Sequence, residues 1–180
     1  CYNSSITNKE DAEKNFLDMF DVEIKKHLNY RNYVAKDPVI DNRIFLNGNR
    51  LFFLEPLESS STQTYIEIVR AFFDYYLPGR VSLDKIRENT REYMIECQNF
   101  LLWHYKSGSK YDTPFWKYAT SLEVEYDDKF KKYYEWVSKN NRYDSLPDVY
   151  GGIGGQSLYG QWPAYSFRNW YEGINTKLNT

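Results

Sequence analysis

Cysteine, histidine and methionine occur only twice each in these 180 residues. Cys1 and Cys97 cannot build a disulfide framework, and with His27 and His104 they offer no metal cluster. Two thiols fit a reducing, cytoplasmic setting. No apolar run approaches the roughly 18 residues of a membrane span, so no membrane partner is expected. A surplus of one charge is also missing: 23 basic against 25 acidic residues leave −2. Without a basic patch, nucleic acid is not expected as a partner either. Lys129, Lys131 and Lys132 are offset by Asp127, Asp128 and Glu135, which reads as a solvated helix face. Several catalytic signatures are absent too, GxSxG and HExxH among them. Glu55 and Glu58 are close, but Pro56 between them argues against the opposed carboxylates of a glycosidase. Glu123 and Glu125 lie in a charged patch with no apolar shield to shift them. The Gly151-Gly152-Ile153-Gly154-Gly155 run has no strand before it. Counted from Gly152, it places Ser157 where a dinucleotide fingerprint needs glycine. It reads as a flexible loop.

What the chain has is aromatic surface. Hydrophobic residues are 42 % and aromatics 19 %, with 18 Tyr, 11 Phe and 5 Trp. A chain this long can bury a real core, and its composition excludes a mostly disordered one. The patterns are mainly helical. Thr7 and Glu10 read as a capping box. Ala12, Phe16, Met19, Phe20 and Ile24 then give an apolar face running to about residue 28, with His27 near the helix end. Ser82 caps the longest helix, expected over 83 to 104. Its stripe is Leu83, Ile86, Thr90, Tyr93, Cys97, Phe100 and His104, widened by Met94 and Leu101. Cys97 is then a core residue, and His104 ends the buried face. Thr113 and Pro114 start another helix in the usual order, cap then N1 proline. Tyr126, Phe130, Tyr133 and Val137 mark a further amphipathic segment. Residues 159–170 are aromatic and should pack back on the helices.

One stretch, residues 42–65, organises the rest. Residues 43–46 and 51–54 are short apolar runs, and Asn47-Gly48-Asn49 between them signals a tight turn. The expectation is a hairpin ended by Pro56. Glu58, Ser59, Ser60, Ser61 and Thr62 then lead into a helix on which Tyr65, Ile66, Val69, Phe72, Phe73 and Tyr76 fall at helical spacing. The first N–H groups of such a helix lack partners, and its dipole favours an anion there. An ordinary capped helix start has the same composition.

The segment FLEPLESSS resembles the FxEPLES(T/S) segment of flavin-dependent halogenases, the tryptophan-halogenase-like family. NFLLWHY (residues 99–105) and YDTPFW (residues 111–116) resemble the family in the same order, as does Cys1-Tyr2-Asn3. The likeness covers most of residues 1 to 116 and fades beyond. It implies an enzyme that oxidises chloride or bromide with reduced FAD and O2, then halogenates an electron-rich aromatic substrate, tryptophan or indole-like. A separate flavin reductase would supply the reduced FAD. Glu58 is implied as catalytic. Ser59, Ser60, Ser61, Gly48 and Asn49 are implied beside the halide and flavin. His104, Tyr105, Phe115 and Trp116 are implied to line the substrate pocket. Relatives often carry Thr and Gly where this chain has Ser60 and Ser61; a serine at 61 is tolerable if the backbone there needs no positive φ.

The family's dinucleotide fingerprint, WxWxIP motif and lysine are not found here. The expectation is therefore a C-terminal fragment, inactive alone, of a longer enzyme. Its fold should be mainly α with a small β-hairpin (α+β). Residues 1–60 would end the flavin-binding domain and 61–180 form the helical substrate region, the N-terminal part being a missing partner. Two rival readings stand beside this one: a non-catalytic helical binding module with an aromatic groove, and a degenerate flavin monooxygenase.

Overall fold

The three-and-four spacing after Ser82 becomes one long helix. The computed structural model describes residues 2–54, 60–139, 158–160 and 162–178. Among them, in chain order, lie α1 (Lys9–Met19), β1 (Tyr33–Val34), β2 (Val39–Ile40), β3 (Ile44–Phe45) and β4 (Phe52–Phe53). These are followed by α2 (Ser60–Ala71), α3 (Leu83–Lys106), α4 (Pro114–Ser121) and α5 (Asp128–Lys139). The short ribbon of β5 (Leu158–Tyr159) and β6 (Trp162–Pro163) leads into α6 (Ala164–Leu178). The fold is mainly α with a little β. The chain divides into two compact units, Cys1–Tyr30 with Tyr105–Glu123, and Arg31–His104 with Val124–Thr180.

In the first unit α1 starts one residue later than expected. Asn8 is the cap, its Oδ1 accepting from the Asp11 N–H at 2.8 Å while its Nδ2 donates back to Asp11 Oδ2 at 2.8 Å. This is an Asn side-chain cap with a side-chain return bond from Asp11, not the capping box expected of Thr7 and Glu10. The helix stops at Met19, well short of residue 28, and Phe20 is already extended. No α1 residue is buried. Phe16, Met19 and Phe20 stay exposed, so nothing holds the apolar stripe helical past one short segment. His27 lies beyond the helix, with Nε2 2.7 Å from Glu13. At α4 the expectation holds: Thr113 caps, Pro114 opens the helix, and the Trp116 N–H reaches Thr113 Oγ1 at 3.4 Å.

The second unit holds the cores. Ser82 Oγ accepts from the Lys85 N–H at 3.2 Å, starting α3 as expected. Ile86, Thr90, Met94, Cys97, Phe100 and Leu101 are all buried. The lower half of α3 packs with Leu51, Phe52, Leu54 and Ile68. Its upper half, Phe100 and Trp103, packs with Phe130, Tyr133, Val137 and Phe167 of α5 and α6. The expected return of the aromatic tail is therefore real. Trp162 stacks on Phe100 at 4.1 Å and Phe167 on Trp103 at 5.3 Å.

The β pairing differs from expectation. The runs at 43–46 and 51–54 do not pair with each other. β3 pairs backwards with β2 (Val39↔Phe45, Ile40↔Ile44), and β4 pairs with β1 (Tyr33↔Phe53, Val34↔Phe52). The small hairpin is β2–β3, turned by Asp41 and Asn42 with φ of 50° and 55° and closed by the Arg43 N–H on the Ile40 carbonyl at 3.0 Å. Two successive positive-φ residues make the turn whose twist suits a hairpin. Asn47-Gly48-Asn49 instead enters a single 3-10 turn, Gly48–Arg50.

A buried carboxylate ties three elements together. Glu96 on α3 is 8 % exposed. It accepts from Lys129 Nζ of α5 and from the Gly160 N–H between β5 and β6. Beside it, Asn99 Nδ2 donates to Asp127 Oδ2 at 2.7 Å, and Asp127 Oδ1 caps α5 by accepting from the Phe130 N–H at 2.9 Å. Gly160 sits at φ +56°, where a Cβ would stand 3.1 Å from Cys97 Sγ. The Gly151–Gly155 run lies outside the described residues.

Candidate functional site

α2 begins at Ser60 and leaves its first-turn N–H groups without intrahelical partners. Ser61 lies within this helix. Among the described residues only Asp41 and Asn42 are non-glycines with positive φ, so the backbone at 61 needs no glycine. The serine there is conformationally unstrained. Glu58 and Ser59 fall outside the described residues.

The buried face of α2 is not the one its apolar spacing suggested. Thr64 and Ile68 are buried, while Ile66, Val69 and Phe73 are exposed. The sequence carries apolar residues on two sides of this helix, and period alone cannot choose between them. The buried hydroxyl decides: Thr64 Oγ1 lies 3.7 Å from Cys97 Sγ on α3. Tyr93 packs against this cluster, with the Thr64 hydroxyl beside its own. Burial pushes the Tyr93 phenol far above its ordinary range.

The turn at Gly48 stands next to the start of α2 through one side chain. Gly48 has φ +58°, and a Cβ there would meet nothing within 4 Å. Its neighbour Asn49 accepts through Oδ1 from the Tyr65 hydroxyl at 2.8 Å. The same hydroxyl lies 2.9 Å from the Phe52 carbonyl of β4. Tyr65 is one turn into α2, on the same face as Ser61. Burial raises its phenol above the usual range, and the nearby Ser61 hydroxyl eases it back. Ser61 Oγ is close enough for that effect yet is buried without a well-formed hydrogen bond, as is Asn47 Oδ1. Tyr65 therefore joins two segments of the expected flavin side, Gly48–Asn49 and Ser60–Ser61. Spacing placed Tyr65 on the helix and missed this link. The signal was available: 61 and 65 are one turn apart.

The four expected substrate residues divide between the units. In the first unit Tyr105, Phe115 and Trp116 form one aromatic group. Tyr105 stacks on Trp116 at 6.0 Å, and Phe115 stands edge-on to both, at 5.9 and 5.1 Å. His104 belongs to the second unit. Its ring stacks on Trp170 at 3.9 Å, and its Nδ1 lies 2.7 Å from the Phe100 carbonyl. A carbonyl accepts, so the geometry requires the proton on Nδ1. Trp170 could not have been assigned to this histidine from spacing, because 66 residues separate them.

No His/Cys/Asp/Glu group able to hold a metal ion occurs among the described residues. No helix among them is long and apolar enough to cross a membrane. Comparison with known proteins gives one family: a family model described as tryptophan halogenase matches residues 1–172. No curated protein matches the chain.

Proposed function

The chain belongs to the tryptophan halogenase family, and from that premise we propose that it forms the halide side and the substrate side of a flavin-dependent halogenase. A halogenating function is what the family carries. The finer reading rests on the match over residues 1–172 together with the EPLES segment, residues 55–59, directly before α2.

The residues suit a flavin in one respect visible without it. Asn47 Oδ1 is a buried polar atom lacking a partner, and buried polar groups ordinarily have one. A ring N–H that donates a hydrogen bond would answer it. Gly48, with open space where a Cβ would be, leaves backbone free for close approach. When bound, reduced FAD with O2 supplies the two-electron oxidation that makes halide electrophilic. Gly48, Asn49, Ser59, Ser60 and Ser61 would flank FAD and halide, the unpaired N–H groups of α2 favouring the anion. Residues outside these 180 would hold the adenosine end, since the dinucleotide fingerprint is not among them.

Glu58 takes the role of anion beside the transferred halogen. The helix N-terminus next to it favours a charged carboxylate, which can orient the electrophile or take the ring proton. Tyr105, Phe115 and Trp116, one aromatic group of the first unit, would give an electron-rich aromatic substrate, indole-like or otherwise, a stacking surface. A separate flavin reductase delivers the reduced cofactor.

Glu58→Gln tests the assignment, keeping size and removing charge. In the complete FAD-loaded enzyme, FAD affinity should stay at the parent value. Halogenated product should fall about 10²-fold or more, the scale of a lost acid–base group. Parent-level halogenation by the variant would return Glu58 to an ordinary helix-start carboxylate. Failure of the parent to bind FAD at all would favour a helical binding module.

A further inference from the structure

We propose that the β5–β6 ribbon is a strap fastened to α3 by the Glu96 carboxylate, and that it lifts ahead of the rest of the second unit once that carboxylate is ionised. Every residue involved belongs to the second unit.

The ribbon is lightly built. Among the described residues β5 and β6 pair only with each other, Leu158↔Pro163 and Tyr159↔Trp162. An isolated two-stranded ribbon is marginal by itself. Its ties to α3 are the Gly160 N–H, which donates to Glu96 Oε2, and Trp162, which stacks on Phe100 at 4.1 Å. The turn lies directly on the helix: a Cβ at Gly160 would stand 3.3 Å from the Cys97 backbone nitrogen and 3.5 Å from Glu96 Cβ. Pro163 joins α6 without a linker, so that end is anchored and the Gly160 turn is the end that can lift. Trp162 packs against both hydrophobic clusters, so lifting opens the seam between them.

The strength of this fastening depends on charge. Glu96 is buried, whereas Lys129, which donates to its other oxygen, keeps 37 % of its side chain in solvent. A partly hydrated cation offsets a buried anion only in part. The groups facing Glu96 are Lys129 of α5, Asp127 at the start of α5, the Gly160 N–H of the ribbon, and Tyr93 on its own helix. Burial outweighs the two donors, so the carboxyl is held above its ordinary 4.5 while the strap is down. Lifting admits water and returns it toward that value. The closed strap therefore binds the proton more tightly than the open one. A protonated carboxyl still offers an oxygen to the Gly160 N–H, so the tie survives protonation. Closure is most favoured below the ordinary value and loses ground as pH rises through the raised one.

Amide hydrogen exchange of the full chain, followed residue by residue by NMR from pH 5 to pH 8, tests this. Rates are corrected for their intrinsic pH dependence, and each series is repeated in low urea. The Gly160 N–H should be protected about 10²-fold less than the Met94 and Phe100 amides of α3. It should respond little to urea, the mark of a local opening. In the parent its protection should fall about tenfold or more from pH 5 to pH 8, one proton permitting at most about tenfold per pH unit. In Glu96→Gln it should not change with pH. Lys129→Gln should leave the value at pH 5 near the parent's and lower the value at pH 8 further. If Glu96→Gln does not fold, the parent profile and Lys129→Gln decide. Gly160 protection equal to that of Met94 and Phe100 overturns the proposal, because the turn then opens only with the whole unit, as an ordinary buried ion pair would. Parent protection that is flat with pH overturns it as well, and so does a fall that persists in Glu96→Gln.

Discussion

At the scale of single residues, Glu96 carries the clearest pH signature. Burial pushes its carboxyl above the ordinary value of 4.5, Lys129 and the Gly160 N–H pull it back, and Asp127 adds to the upward push. The folded chain thus holds this proton more tightly than the unfolded chain does. The stability that Glu96 contributes is full below its unfolded value and is lost as pH rises through the raised folded value. Glu96→Gln does not titrate. The difference in stability, parent minus variant, should therefore grow in the parent's favour as pH falls from 8 toward 5, read from denaturant midpoints at each pH. A difference that stays flat over that range would mean the carboxyl is not raised. Little of this was legible beforehand. Glu96 sits beside Cys97 in a helix whose core stripe was plain, but a carboxylate at the edge of a stripe is normally solvated. Its partners lie 33 and 64 residues away. Cys97 as a small core hydrophobe was legible, because the three-and-four spacing passes through it.

At the scale of elements, a helix was legible where a packed face marked it or where the cap was plain, as at Thr113 and Pro114 of α4. α3 had Ser82 and a stripe that meets two clusters. α5 had the buried trio Phe130, Tyr133 and Val137, while its cap, Asp127, read in the sequence only as part of a charged face. α1 had a cap and a stripe but no burial, and it stopped early. The hairpin was misplaced because Asn47-Gly48-Asn49 and Asp41-Asn42 are both turn signals, and composition does not say which pair of runs each one closes. α2 was found, but its apolar residues lie on two sides and only Thr64 against Cys97 selects the buried one. Asp127 gives a direct measurement at this scale. Asp127→Ala removes the α5 cap and the acceptor for Asn99 together. A loss of about 2 kcal/mol is expected, a cap near 1 and a hydrogen bond near 1. Asp127→Asn should recover about half of it, the cap, because the one oxygen of an amide cannot accept from both the Phe130 N–H and Asn99 Nδ2. Equal losses in the two variants, measured by urea denaturation, would show that charge rather than capping is what Asp127 supplies.

At the scale of the molecule, family membership and helical class were both legible in the sequence, the first from a few ordered segments and the second from periodicity. The grouping of residues 105–123 with the first thirty was not, because helical spacing records which face is buried and not which distant segment covers it. One close approach has a use that concerns the whole second unit. The Gly160 backbone lies over the Cys97 thiol, itself only 2 % exposed. The sulfur is in effect a clock hand under glass. An alkylating reagent reaches it only while the second unit is open, so its rate of modification counts openings. In a Cys1→Ser background, Cys97 should react about 10³-fold or more slowly than a free thiol, as the small open population dictates. Gly160→Ala, which forces a Cβ to 3.1 Å from that sulfur, should quicken the clock. Reaction at the free-thiol rate in the parent would mean that no seal exists. Where the seal holds, a ligand bound only by the closed second unit should slow the same reaction, which would let binding be followed before any substrate is known.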